Sequence, residues 1–388
     1  MNLDSLERRA ILAGTALTVA GAAGCITTDD DTASDTPASD ETTPAETADE
    51  TPSGGETPTQ DGNDDIETAP MALPPSSRWL AGPDERLAGP VDETHTYLSI
   101  DFQRLGDVAL YEKLFDDIAL DSKTDDRRQA RLAEAGVTSY AEALPISTGS
   151  SLLVAVGFLM GARPVLQDIE VVGVPIEEGE VENPVMTVES IAIAGDRGVF
   201  GGQLHRGALE ADESVEAVTE REQFTIYEQK TSEQGTLFAA SDDTMLFLLT
   251  GYEQDYERTL LEDYIEMATE GELDPDKAWL LERVGTGVFD YNVARPTPSA
   301  DLGTDLFTDI VPDRDAVETV RSFVADIDAV HMTADGCENG RVTRSGFLFR
   351  SEDALANVDE FVDAVATDAP ERNVILDGRK LVIEAIWR

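Results

Sequence analysis

The chain has 388 residues, 41% of them hydrophobic, enough for one large domain or two ordinary ones with a substantial core. Its 79 Asp and Glu against 28 Lys and Arg leave a net charge of -51, which excludes nucleic acid as a partner, because phosphate binding needs clustered Lys and Arg. Two cysteines, Cys25 and Cys337, exclude a multi-disulfide scaffold.

The N-terminus reads as an export signal over residues 1–24. A charged start, Glu7-Arg8-Arg9, precedes a short run rich in Ala, Gly and Thr, which ends in Ala22-Ala23-Gly24-Cys25. The run is too short to cross a hydrocarbon layer of about 30 Å. The pair Arg8-Arg9 resembles the twin-arginine export signal. Ala22-Ala23-Gly24-Cys25 resembles a lipobox, with Ala22 where Leu is usual. That resemblance implies that the Cys25 thiol carries a lipid and that Cys25 becomes the first residue of the mature chain. Two acyl chains on one residue suffice for stable anchoring, at about 0.8 kcal/mol per buried CH₂. The expected location is the outer face of the cytoplasmic membrane, with membrane lipid as the partner through Cys25.

Residues 25–75 follow as a linker. From Ile26 to Pro75 there is no Lys, Arg or aromatic residue, and Asp and Glu number fourteen. Such a tract cannot bury enough apolar surface to offset chain entropy, so an extended, disordered stalk is expected. About -37 then remains for residues 76–388, the expected globular ectodomain. Division of that block into 90–295 and 296–388 is also open, since both parts show a helix, paired strands and a helix.

Aromatic and branched residues return at Trp79. Alternation predicts a strand at 94–101, and helical spacing predicts helices at 104–120 and 125–135. The apolar run Ser151–Met160 predicts a buried strand, with further strands at 168–174 and 185–194. Gly201-Gly202 is expected to introduce a helix near 203–210. Three strands follow at 223–228, 235–240 and 244–250, the last two joined by a turn at Ser241-Asp242-Asp243. Helices are predicted at 255–270 and 274–284, the second with Pro275 in its first turn. The remainder reads as strand 287–293, helix 313–325, strands 327–334 and 341–350, and helix 352–366. A hairpin of 373–376 and 381–387 closes the chain, turned by Asp377-Gly378. Strands joined by tight turns, with helices in blocks, predict an α+β fold of mostly antiparallel sheet with helices packed on it.

Motifs for chemistry are sparse. His95, His205 and His331 form no ligand pair of the H-x-x-x-H kind, so no metal is expected. Gly285-Thr286-Gly287 lacks the third glycine of a dinucleotide loop, Gly149-Ser150-Ser151 is no nucleophile elbow, and no cofactor is implied. Asp61–Asp65 imitates half a calcium loop, but Ile66 stands at the glycine position. Asp242-Asp243 and Asp313-Arg314-Asp315 read as solvated acidic loops able at most to hold cations loosely. Cys337 falls at a hairpin tip between Asp335-Gly336 and Asn339-Gly340. No catalytic residue is assigned.

The acidic excess is spread along the chain, and Lys is scarce, five residues against 23 Arg. Such a surface resembles that of haloarchaeal proteins, in which concentrated salt screens self-repulsion. The strand-turn stretch Phe224–Glu228, Phe238–Asp243 and Met245–Phe247 resembles a pattern of uncharacterised secreted bacterial and archaeal proteins, which implies no particular activity. The function expected is that of a cell-surface lipoprotein whose ectodomain is a non-catalytic binding or envelope-interaction module. Two alternatives stay open: an extracellular hydrolase of a surface polymer, and a solute-binding lipoprotein serving a transporter.

Overall fold

The computed structural model describes residues 95–105, 125–149, 152, 169–172, 184–194, 197–230, 236–248, 254–270, 273–294, 314–337 and 340–388. Among them the chain forms one sheet of 13 strands, with helices on both faces; the fold is α+β and mostly antiparallel.

The strands are β1 (His95–Asp101), β2 (Ile169–Val171), β3 (Met186–Ala194), β4 (Arg197–Leu204), β5 (Val215–Arg221), β6 (Phe224–Gln229), β7 (Thr236–Ala240), β8 (Thr244–Leu248), β9 (Phe289–Ala294), β10 (Ile327–Cys337), β11 (Gly340–Phe349), β12 (Glu371–Asp377) and β13 (Lys380–Trp387). The helices are α1 (Phe102–Leu105), α2 (Asp125–Glu134), α3 (Arg206–Ala211), α4 (Gln254–Glu270), α5 (Pro275–Val284), α6 (Arg314–Val324) and α7 (Val358–Val365); residues 140–149 are also helical. Strand order is β12-β13-β11-β10-β9-β1-β3-β4-β8-β7-β6-β5, and β2 lies parallel to β3 off this path.

Alternation sorts the side chains into two faces. One face carries the large core, in which Ile100, Phe289, Tyr291, Met332, Phe347 and Phe349 lie under α6, α7 and the 140–149 helix. Phe361 of α7 meets the Phe347 and Phe349 rings edge-on, with centroids 4.8 and 5.7 Å away. Edge-to-face contact of this kind adds to what burial alone contributes. The opposite face has a second core on the β3–β8 side, closed by Leu260, Leu261, Tyr264 and Ile265 of α4. The buried Arg197 guanidinium stacks over the Tyr264 ring, 4.2 Å from its centroid, while its Nε donates to Ala194 O. On the β9–β13 side of the same face, α5 packs Leu280 against Ala294, Ala329 and Leu348.

Several expectations need correction. Gly201-Gly202 opens no helix: both lie within β4, and α3 begins at Arg206. At Gly202 the register slips between Val188 and Ser190, φ is 154°, and a Cβ would fall 2.0 Å from Thr187 O, so only glycine fits. Leu152 is helical, not the start of a strand; the rest of the run to Met160 lies outside the described residues. The helix expected at 352–366 is a 3-10 turn, Glu352–Leu355, followed by α7. Strands β4 and β5 and the 140–149 helix were not foreseen. The expected helix 104–120 is described only as far as Leu105, within α1.

Candidate functional site

Cys25, Arg8 and Arg9, the residues singled out for lipidation and export, lie outside the described residues. Within them, the most unusual chemistry is a polar row laid across the sheet on the α5 face. Register places Ser99 of β1, Asp290 of β9, Thr333 of β10, Arg344 of β11 and Glu384 of β13 directly beside one another. Ser99, Asp290 and Thr333 are 8%, 4% and 0% exposed, which is rare for a carboxylate. Asn292 and His331 form the neighbouring pair one step along the strands.

What covers this row is the strap 285–288 between α5 and β9. Asp274 caps α5, its Oδ1 accepting from the N–H groups of Asp276 (2.9 Å) and Lys277 (3.2 Å), and Pro275 occupies the first turn. Gly285 ends the helix with φ 73°. The strap then spends its backbone polar groups on the sheet. Gly285 O accepts from His331 Nε2 at 3.0 Å, Thr286 O from Arg104 Nη1 at 3.1 Å, and Gly287 N donates to Asp290 Oδ1 at 2.7 Å. Val288 N donates to Ala334 O, and Val288 O accepts from Asp101 N, both at 2.9 Å. The incomplete dinucleotide loop of the sequence is therefore a backbone strap. Gly287 is required there because a Cβ would stand 2.6 Å from Ala334 O.

Electrostatics follow from enclosure. Burial pushes the Asp290 carboxyl up to about 7, against the opposing pull of the Gly287 N–H, the Ser99 hydroxyl (2.7 Å) and the Arg104 charge. Asp335, ion-paired with Arg104, is also raised by burial. Burial holds His331 down at about 4, so the ring is neutral. Because Gly285 O can only accept, the His331 proton sits on Nε2, and Nδ1 accepts from Asn292 Nδ2 at 3.3 Å. Both ring nitrogens are thus committed, and both Asp290 oxygens already accept. A carboxyl poised near neutrality suits proton transfer; in this structure these bonds tie the strap to the sheet.

Other sequence candidates fall elsewhere. His205 precedes α3, its Nε2 3.0 Å from Thr187 Oγ1, and lines a cleft of ≈ 380 Å³ together with Pro184, Arg206, Gly207 and Ala208. Asp242 accepts from Arg206 at 2.7 Å, and Asp243 accepts from the hydroxyls of Ser241 and Thr244 at 2.8 and 2.9 Å, so the turn's carboxylates are engaged with protein donors. Cys337 is an exposed free thiol at the end of β10. Among the described residues no group of three His, Cys, Asp or Glu side chains is placed to hold a metal ion, and no helix is long and apolar enough to cross a membrane.

The row was missed because its members are far apart in sequence; Ser99 and Asp290 are separated by 191 positions. The signal that was present is the alternation of Asp290 and Asn292 in β9, and of His331, Thr333 and Asp335 in β10, a polar face within otherwise apolar strands.

No family model matches the chain, and no curated protein matches it in sequence. Solved structures with detectable likeness include three crystal forms of TP0453. Form III has a TM-score of 0.30 at 10% identity, covering 75% of this chain and 88% of that one. Form IV has 0.31 at 10%, covering 79% and 94%, and form I has 0.31 at 9%, covering 75% and 87%. Likeness at this level carries no argument about fold or function.

Proposed function

We propose that this chain is an exported lipoprotein, held to the outer face of the cytoplasmic membrane through a lipid on Cys25. Its α+β domain is carried beyond the membrane on the acidic tract 26–75 and serves as a non-catalytic binding or envelope-interaction module. The observation that carries the reading is the order of signals in one short stretch. Arg8-Arg9, a weakly apolar run, Ala22-Ala23-Gly24-Cys25 and then an acidic spacer without a single Lys or Arg follow one another directly. Support for a non-catalytic role comes from the polar row, whose most perturbed groups, Asp290 and His331, hold the strap and not an open cleft. The acidic, Lys-poor surface supports operation in concentrated salt.

Fractionation tests the anchoring. In the native host, Cys25→Ser is expected to move the protein from the membrane pellet to the medium. Continued sedimentation with membranes, with the domain still outside the cell, would refute the lipid anchor. Arg8→Lys combined with Arg9→Lys is expected to retain the protein inside the cell; undiminished surface levels would refute the twin-arginine route.

A further inference from the structure

The two ends of the sheet are finished differently. At one end β5 turns Glu216, Glu220 and Arg221 to solvent, and its register slips between Ala217 and Thr219. Charge and a bulge make a poor template for a further strand. At the other end β12 also turns three charged residues to solvent, Glu371, Arg372 and Asp377, but it pairs with β13 without a slip and contains neither proline nor lysine. It also holds two of the three exposed large apolar side chains among the described residues, Val374 at 41% and Leu376 at 51%.

Hairpin geometry tells which backbone groups are open. The loop is two residues, Gly378-Arg379, so Asp377 and Lys380 are the closing hydrogen-bonded pair. Counting back by twos, Glu371, Asn373 and Ile375 direct their N–H and C=O groups at β13. Arg372, Val374 and Leu376 direct theirs at the edge that no strand among the described residues covers.

We propose that β12 is a self-pairing edge, on which a second copy of this chain lays its own β12 antiparallel and continues the sheet across a two-fold axis through Ile375. An axis normal to the sheet preserves each face, so opposed residues must share parity. Centred on Ile375, the pairing sets Val374 opposite Leu376 of the second copy, and Leu376 opposite its Val374, with the open backbone groups exchanged between them. Ile375 meets its own counterpart and Asn373 faces Asp377; Glu371 and Arg379 would stand opposite each other past the end of β12, and both already hold ion pairs within their own chain, Glu371 with Arg388 and Arg379 with Asp276 and Asp328. Centred on Val374, the pairing opposes Glu371 to Asp377 and Leu376 to Arg372. Centred on Asn373, it leaves Leu376 beyond the paired strand. Apolar matching and the absence of opposed like charges select the Ile375 axis, since only there do Val374 and Leu376 cover each other and no two carboxylates stand opposed.

The test uses the mature chain with Cys25→Ser and Cys337→Ser, in about 2 M KCl. Sedimentation equilibrium up to about 100 µM should give twice the monomer mass, and Leu376→Lys should return the monomer mass while melting like the parent at a dilution at which the parent too is monomeric. Ile375→Cys should oxidise to a covalent dimer, because a non-hydrogen-bonded antiparallel pair brings Cα atoms within about 4.5 Å, inside disulfide range. Val374→Cys should cross-link at least tenfold more slowly. A single-chain mass at the highest concentration, a dimer that survives Leu376→Lys, or equal cross-linking at 374 and 375 would overturn the proposal.

Discussion

Asp290 concentrates the physics of the polar row. Its carboxyl titrates near 7 in the folded chain and near 3.8 when exposed, so between those values the native state holds a proton that the unfolded state has released. Stability must therefore fall as pH rises through that window and stay low above it. Three pH units correspond to roughly 4 kcal/mol at the upper limit. Asn has the same shape, accepts from Gly287 N and can donate to Ser99 Oγ, so Asp290→Asn is expected to raise the melting midpoint at pH 8 and flatten its decline between pH 5 and 8. A variant that melts no higher than the parent at pH 8 would contradict this account. His331 acts in the opposite direction. Its folded value of about 4 lies below the 6.5 of an exposed ring, so its contribution is lost as pH falls from 6.5 toward 4.

Among the elements, the strap 285–288 is the piece whose geometry is least forgiving. An alanine at 287 would drive its Cβ against Ala334 backbone, lifting the strap and breaking the Gly287–Asp290 bond. Gly287→Ala is expected to cost about 2–3 kcal/mol in a denaturant titration. Gly207→Ala in α3, where a Cβ meets nothing within 4 Å, should be neutral or gain up to ~1 kcal/mol. Equal unfolding midpoints for the two variants would remove the strap from the account. The same elements show what local sequence can and cannot reveal. Helix α5 was legible because Asp274-Pro275 and Gly285 punctuate it, and the last hairpin because Gly378 marks its turn, although the two-residue loop is Gly378-Arg379 and not the expected Asp377-Gly378, Asp377 being the last residue of β12. Gly201-Gly202 misled because glycine also serves inside strands where a neighbouring backbone leaves no room. Strand β5 was missed because half its residues face water at the sheet edge, so Glu216 and Glu220 read as loop. The polar row was illegible as a unit, since strand pairing alone brings Ser99, Asp290 and Thr333 together.

For the molecule as a whole, charge dominates. With -51 on 388 residues and five lysines, carboxylates repel across the folded surface more than along an expanded chain. Screening at molar salt removes most of that repulsion, and excluded salts strengthen apolar burial. The mature chain with Cys25→Ser is expected to lose cooperative folding below a few hundred millimolar KCl and recover it above roughly 1–2 M, read by circular dichroism melts across a salt series. A midpoint that stays flat from dilute buffer upward would contradict adaptation to salt. The central claim, export and lipid anchoring, is tested most directly by mass spectrometry of the N-terminal peptide from membrane-extracted protein. The account predicts that this peptide begins at Cys25 and carries a lipid on its sulfur. An unmodified Cys25 still joined to Gly24 would contradict it.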